Sequence, residues 1–558
     1  MNGDLMMNRF LIATTLLFHA PILCAAPSIA AQGVKNAASF ADPRLPNGSI
    51  AQGSIFNVFG SGMGPATIAY ASSLPLPTTL SGTSINVTVG GTTVPCVMFY
   101  TSASQVAAIL PSNTPAGTGT ITVSYNGSAS PTAPITVVKS SFGVFTVNQQ
   151  GSGTAVILDG NNNVSSSTSA FQPGETVVAW GTGLGPISGN DASTPPTGNL
   201  PGVTVAVTVG GATAPVIYAG RSGYAGEDQI DFTIPSGVSG CNVPVAISVT
   251  NGSSTVVSNY VTMAVGATTT CTSATSYPPG FQQVLGTGTV RVGSVLLNRS
   301  VTTTTIPSFT GGTPTVINST ADQVEAGFDI LSAANYTSAG FDLPYGACAI
   351  LNTQVVTGTT PKGLDAGSSI NVSGPNGAKQ INQSTAAVGS FYSIIGGGTP
   401  LPGQTAQPLY FSPGSYSVNN GSGGKDVAGF SFNVTVPQNP FTWTNYSSIT
   451  SVNRSQALTV NWTGGDPSWD VFLIGTSSVA ATAGVTFECR AHDTDQTLTV
   501  PVSILQALPA SATTSGIPLG SLTMSAQAPV VQFGTTSGLD LFTYGYSVEY
   551  QNGSVPFQ

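Results

Sequence analysis

Short apolar–polar alternations recur along the whole chain, separated by clusters of glycine, proline, serine, threonine and asparagine. Ile55-Phe56-Asn57-Val58-Phe59 and Ile85 to Val89 alternate with a period of two, and Val97 to Tyr100, Val106 to Leu110 and Ile121 to Tyr125 are short apolar runs bounded by turn residues. A second series follows in Thr154 to Leu158, Val177 to Trp180, Val203 to Val209, Val216 to Tyr218, Ile230 to Ile234 and Val245 to Val249. Alternation over short windows places successive side chains on opposite faces of a strand, and punctuated runs of this length make short strands joined by turns. A helical period is confined to Ser503 to Leu508. The pattern predicts an all-β protein.

The two series are copies of one unit. Phe59-Gly60-Ser61-Gly62-Met63-Gly64-Pro65 matches Trp180-Gly181-Thr182-Gly183-Leu184-Gly185-Pro186, and Val87-Thr88-Val89-Gly90-Gly91 matches Val207-Thr208-Val209-Gly210-Gly211. Further on, Gln105 matches Gln229, Pro111 matches Pro235, and Asn126-Gly127 matches Asn251-Gly252. The offset drifts slightly around roughly 120 residues, as loop insertions in a shared fold produce. Each glycine motif leaves a strand and runs into a proline followed by Ser/Thr/Pro-rich sequence. A phosphate-cradling loop needs a helix there to supply N–H groups and a dipole, so a strand-ending turn is the expectation.

These residues resemble the IPT/TIG immunoglobulin-like module, in the form of the uncharacterised secreted-protein domain of Solibacter-type acidobacteria. The resemblance rests on Asn36-Ala37-Ala38-Ser39-Phe40, Gly53 through Pro65, Leu158-Asp159-Gly160, Pro173-Gly174 through Pro186, Pro215 through Gly220, and Gln229 through Pro235, within 33–265. It implies tandem immunoglobulin-like β-sandwiches outside the cytoplasm, with no assigned activity. The expected units are 33–139 and 140–265. Beyond them, β-like runs predict a β-rich domain over 266–436, a linker at Pro437-Gln438-Asn439-Pro440, and a further β-sandwich over 441–558.

The N-terminus reads as a secretory signal over 1–31. Arg9 gives the positive end, Phe10 to Phe18 the apolar stretch, and Ser28-Ile29-Ala30 the small–x–small pattern for cleavage near Ala30-Ala31. Met1, Met6 and Met7 are alternative starts. No apolar run is long enough for a spanning helix, so export without a membrane span is expected. Of the 558 residues only 6% are charged while 41% are hydrophobic, and 67 glycines and 39 prolines fit a turn-rich β protein. The net charge of −9 argues against a nucleic-acid partner, which requires basic patches.

Few residues can carry chemistry. His492 is the sole histidine after the leader, in Arg490-Ala491-His492-Asp493-Thr494-Asp495, and is expected in a solvated loop where replacement by alanine is silent. No G-x-S-x-G elbow is present to supply a serine nucleophile. Glu227, Asp228, Asp231 and Asp159 form oxygen-rich stretches, read as surface features or as a weak calcium set; calcium is the one cofactor considered. Trp443 and Trp469 lie in turn-rich sequence; a structural role is the leading reading, with a ligand-facing platform as the alternative, and Trp462 is expected in the core. Cys241 and Cys271 are expected to pair, Cys348 and Cys489 to pair if the last two units abut, and Cys96 to be buried and free. The expected function is non-catalytic extracellular binding, adhesion or scaffolding, with a glycan or another surface protein as partner. The alternatives are a carboxylate-based polysaccharide hydrolase in the C-terminal half and a calcium-stiffened spacer.

Overall fold

The computed structural model describes residues 26–272, 288–306, 315–332, 343–351, 361–399, 405, 407–528 and 538–558. Arg9, the apolar stretch and Cys24 lie outside them. The chain is all-β, built as tandem sandwiches followed by a larger β module.

In the first sandwich one sheet runs Ser28–Asn36, Ile55–Ser61, Gln105–Ile109, Val97–Thr101, and the other runs Ile50–Ala51, Ala133–Val138, Gly117–Tyr125, Thr83–Val89, Thr92–Pro95. In immunoglobulin lettering these orders are A-B-E-D and A′-G-F-C-C′. The short A′ strand pairs parallel with G, Ile50 opposite Val137. The alternation explains the core. Along Thr83–Val89 every second residue is buried, and Ile85, Val87 and Val89 face Phe56, Val58, Met98 and Val106.

The second sandwich repeats the plan. Thr176–Thr182, Asp228–Thr233 and Val216–Arg221 form one sheet; Ala212–Ala214, Val203–Val209, Gly240–Asn251 and Val261–Val265 form the other. Even an irregularity is duplicated. The register slips between Met98 and Tyr100 in one copy and between Val216 and Tyr218 in the other. The extra residues, Phe99 and Ile217, are 38% and 57% exposed, as expected when a bulge turns one side chain away from the core.

The first strand starts upstream of the expected cleavage point. Ser28 pairs with Ser61 and Ile29 with Gly60.

The C-terminal half departs from the expected division at 436/441. One nine-stranded sheet spans it, in the order Cys348–Leu351, Ala483–His492, Asp470–Ala480, Gly520–Gln527, Leu541–Asn552, Thr289–Ile306, Thr315–Ser332, Lys362–Gly363, with Ser390–Gly397 also paired to Thr315–Ser332. Its centre is a parallel pairing between Thr289–Ile306 and Leu541–Asn552, from Val292 opposite Leu541 to Thr303 opposite Asn552. Strands from both expected domains therefore share one sheet and one core. Local pattern shows where strands are, while a parallel partner some 250 residues away leaves no local trace. A four-stranded sheet of Gly377–Asn382, Ser369–Gly374, Gly414–Asn419 and Ser431–Val436 accompanies it, with a three-stranded sheet of Thr442–Trp443, Leu458–Thr463 and Thr497–Val500. The expected helical turn is Val502–Ala507. Cys348 and Cys489, opposite each other in adjacent strands, form a disulfide.

Candidate functional site

The motif-bearing residues of both copies converge where the two sandwiches meet. In the second copy the strand Thr176–Thr182 ends in the turn Gly183-Leu184-Gly185. Gly183 has φ of 107°, and a Cβ there would strike the carbonyl of Ser141, so the turn requires glycine. The N–H groups of Gly183 and Leu184 both donate to Asp228 Oδ2, each at 2.7 Å. The turn therefore does cradle an anion, but the anion is the protein's own carboxylate.

Asp228 is ion-paired with Arg221 through Oδ1 and Nη1, the side chains being 0% and 1% exposed. The second guanidinium nitrogen, Nη2, donates to Gly185 O at 2.8 Å and to Gly53 O of the first sandwich at 3.1 Å. Burial pushes the Asp228 carboxyl up, and Arg221 with the two backbone amides pulls it back. Gly53, just ahead of the strand that leads into the first glycine motif, has φ of 72°, and a Cβ on it would collide with that same nitrogen.

Three further links surround the pair. Thr182 Oγ1 accepts the Ile55 N–H at 2.8 Å and donates to Gly226 O at 2.6 Å. Asn36 donates through Nδ2 to Ser141 O at 3.2 Å and Thr182 O at 3.1 Å, while its Oδ1 accepts the Ala38 and Ser39 N–H groups. Ser112 donates from N and Oγ to the two oxygens of Asp191, both at 2.7 Å, and its Oγ accepts the Ile187 N–H. An apolar patch of Ile55, Val97, Ile109, Ala192 and Ala225 closes the joint. Of the side-chain atoms in these links, Arg221 Nε is buried without a partner, as is the nearby Trp180 Nε1 of the second motif. This chemistry fixes two bodies in one orientation; it presents no reactive group to solvent.

The oxygen-rich candidates do not form one site. Asp228 spends its lone pairs on Arg221 and two amides. Asp231 accepts from Gln229 Nε2 at 2.8 Å. Asp159 closes its own turn, accepting the Asn161 and Asn163 N–H groups at 2.8 Å, which holds its carboxyl below the usual range. Glu227 is half-buried; burial first, and the charge of Asp228 second, push its carboxyl up to about 7. Calcium takes six or more oxygens, and these carboxylates are held by separate partners without converging; the surface reading also fails for Asp228, which is buried. Among the described residues no three His, Cys, Asp or Glu side chains converge as a metal set.

The aromatic candidates lie in the core. Trp443 and Trp469 are 3% and 4% exposed, closed over by the C-terminal core, so neither faces a ligand. Trp462 is buried, its indole N–H donating to Asp493 O at 2.8 Å. His492 is not in a free loop. It ends the strand Ala483–His492 and stacks on Tyr345 with ring centroids 3.3 Å apart. Tyr345 in turn donates to Asp470, which Arg490 holds at 2.9 Å. Cys241 pairs with Cys271, and Cys96 is buried and free.

Sequence reasoning missed Arg221. Its signal was present: an arginine in a strand-like segment, seven residues before a buried-strand aspartate, in a chain with 12 basic residues altogether.

Two grooves open elsewhere. One of about 540 Å³ lies beside Thr303, Thr305, Asn318, Tyr446 and Asn552, and no charged residue lines it. Another of about 470 Å³ lies where Lys35, Phe40 and Asp42 of the first sandwich meet Tyr260 of the second and Leu351 of the C-terminal module. Its one carboxylate, Asp42, is gripped by Arg44.

No family model matches the chain, and no curated protein matches it. Among solved structures it is similar to the surface layer protein SbsC, domains 4-9, at 12% identity over 93% of this chain and 82% of that one, with a TM-score of 0.13. At that score the two chains do not superpose as wholes.

Proposed function

We propose that the chain is an exported, non-catalytic protein in which tandem immunoglobulin-like sandwiches act as one stiff unit for binding, adhesion or scaffolding outside the cytoplasm. The observation that carries this reading is the Arg221 bridge, which ties Gly53 of one sandwich to Asp228 and Gly185 of the other in a joint shut off from water. Flexible tandem domains are ordinarily joined by smaller and more polar contacts, with relative motion as the default. A buried charge pair at the contact works against that motion, because opening it would expose or strand both charges.

The exported setting is supported by two disulfides, which persist in oxidising compartments. The non-catalytic part is supported by the engagement of the candidate carboxylates in structural bonds. A partner, whether a glycan or another surface protein, would be met by exposed loops and edges.

Two measurements test the reading. Spin labels on Thr93→Cys and Thr255→Cys, exposed positions on the two sandwiches, should give a single narrow distance distribution by pulsed electron resonance. A broad or two-peaked distribution would overturn the stiff joint. A glycan array probed with the purified mature chain, with and without chelator, should show retention without cleavage. Release of reducing sugar would overturn the non-catalytic assignment and favour a hydrolase.

A further inference from the structure

The C-terminal module holds a buried carboxylate, that of Asp493, with no ion-pair partner among the described residues. After the strand Leu458–Thr463 the chain turns through Gly464 and Gly465, with φ of 78° and 87°. A Cβ on Gly465 would lie 2.6 Å from Asp493 Oδ2 and 2.7 Å from Oδ1, so the turn passes directly against that carboxylate. Asp493 is 5% exposed. Its backbone is fully used, the N–H donating to Trp469 O at 2.9 Å and the carbonyl accepting the Trp462 indole N–H at 2.8 Å. Its Oδ1 is buried with no hydrogen-bond partner.

The next residue of the turn, Asp466, brings a second negative charge. It is half-buried, and its Oδ1 accepts from the N–H and Oγ of Ser468 at 2.9 and 2.7 Å. Among the described residues the ion pairs are Arg44–Asp42, Arg221–Asp228, Arg299–Asp322 and Arg490–Asp470, and none of them reaches this corner. Asp495 is turned away, accepting the His492 N–H at 2.9 Å. Burial, and next the charge of Asp466, raise the Asp493 carboxyl to about 6, against a smaller opposing pull from the Trp462 side chain. At neutral pH and above it is therefore ionised, enclosed, unpartnered at one oxygen and beside another carboxylate. A buried charge in that position calls for an opposite one.

We propose that Asp466 and Asp493 hold a calcium ion against the Gly464-Gly465 turn. The reasoning is chemical. The donors are all oxygens, which select a hard cation over zinc or copper. Among the described residues no ammonium or guanidinium pairs with either carboxylate, and the half-buried Asp466 gives the corner a solvent-facing side. Among the described residues no third acidic side chain joins the set, so backbone carbonyls and water complete the shell. Two carboxylates place the affinity at the weak end of the calcium range, roughly 0.1–1 mM, where extracellular modules operate. The bound ion would tie the Trp469 loop to the end of the strand Ala483–His492. This site is separate from the Arg221 joint and from the four carboxylates of the second sandwich.

The neighbouring indoles supply the test. Terbium, an oxygen-seeking calcium substitute, should luminesce on tryptophan excitation of the full mature chain, because Trp462 touches Asp493. Millimolar calcium should quench that emission by competition. Asp493→Asn and Asp466→Asn should each remove most of it, while Asp159→Asn should leave it unchanged. Both asparagine variants keep the side-chain shape, and near-ultraviolet circular dichroism reports whether each is folded. Independently of any variant, about 5 mM calcium should raise the melting temperature of the natural chain at pH 7.5. Emission that survives in both variants would overturn the proposal. So would a melting temperature that ignores calcium but falls as pH rises through 6, since that assigns the corner a proton instead of a metal.

Discussion

Arg221 donates to the carbonyl oxygen of Gly53, 168 residues earlier in the chain, at 3.1 Å. One guanidinium thus serves the anion of its own sandwich and the backbone of its neighbour. Gly53 lies just ahead of the strand that leads into the first copy's glycine motif and Gly185 lies within the second copy's, so the two copies meet on a single side chain.

Removing that side chain should be costly. Arg221→Met leaves Asp228 charged, buried and short of its partner, and we expect a loss of about 3–5 kcal/mol in denaturant unfolding. Arg221→Met with Asp228→Asn removes the stranded charge and keeps an acceptor for the Gly183 and Leu184 amides. The double variant should recover at least about 1 kcal/mol relative to Arg221→Met. Equal losses in both would show that packing, not charge, governs the joint.

The pattern of the chain made the sandwiches legible because alternation, turn glycines and an internal copy all agree there. It did not reveal what joins them. Asn36, Gly53 and Gly183 stood out by their motif, yet their bonds run to residues far along the chain, and only the fold brings those together. The C-terminal sheet was opaque for a related reason: its central pairing, Val292 with Leu541, is parallel and remote. Trp443 and Trp469 could be read either way because turn-rich sequence does not by itself fix exposure. Both turns are covered by other strands, and the indoles fill the core.

Truncating those tryptophans should accordingly affect stability rather than binding. We expect Trp443→Ala and Trp469→Ala each to destabilise the C-terminal module by about 3–5 kcal/mol. Unchanged unfolding with altered retention on a glycan surface would reverse the assignment.

His492→Ala should no longer be silent. The stack on Tyr345 is lost, and aromatic pairs contribute about 0.5–1.5 kcal/mol. Thermal unfolding of the variant should show a loss of that order, with Tyr345→Ala giving a non-additive double variant.

Thiol chemistry separates the cysteines. Cys96 is fully buried and its thiol is pushed well above the ordinary range by burial, so in protein prepared without residues 1–25 a thiol reagent should label no site when native and one after unfolding without reductant. Opening Cys348–Cys489, which spans 141 residues, should cost more than opening Cys241–Cys271, which spans 30. The loop-entropy relation gives about 5 and about 3.6 kcal/mol as upper values. A second titratable thiol in the unfolded, unreduced chain would mean that one of the bridges is not formed.

Glu227 sets a pH dependence with a definite sign. Its carboxyl is raised from 4.5 to about 7 in the folded chain, chiefly by burial and then by Asp228. The folded state therefore binds the proton more tightly than the unfolded state. Stability from this group is fully present below about pH 4.5 and is lost as pH rises toward 7. The change is on the order of 2 kcal/mol, since one pKa unit corresponds to about 1.4 kcal/mol and the group retains some contact with water. Glu227→Gln should flatten the profile between those limits and leave the variant more stable than the natural chain at pH 8, because glutamine carries no charge to be repelled by Asp228. Unfolding midpoints measured every half unit from pH 4 to pH 8 would decide it. A natural chain whose stability climbs through that window, with the variant running parallel, would place the carboxyl in contact with water rather than against the joint.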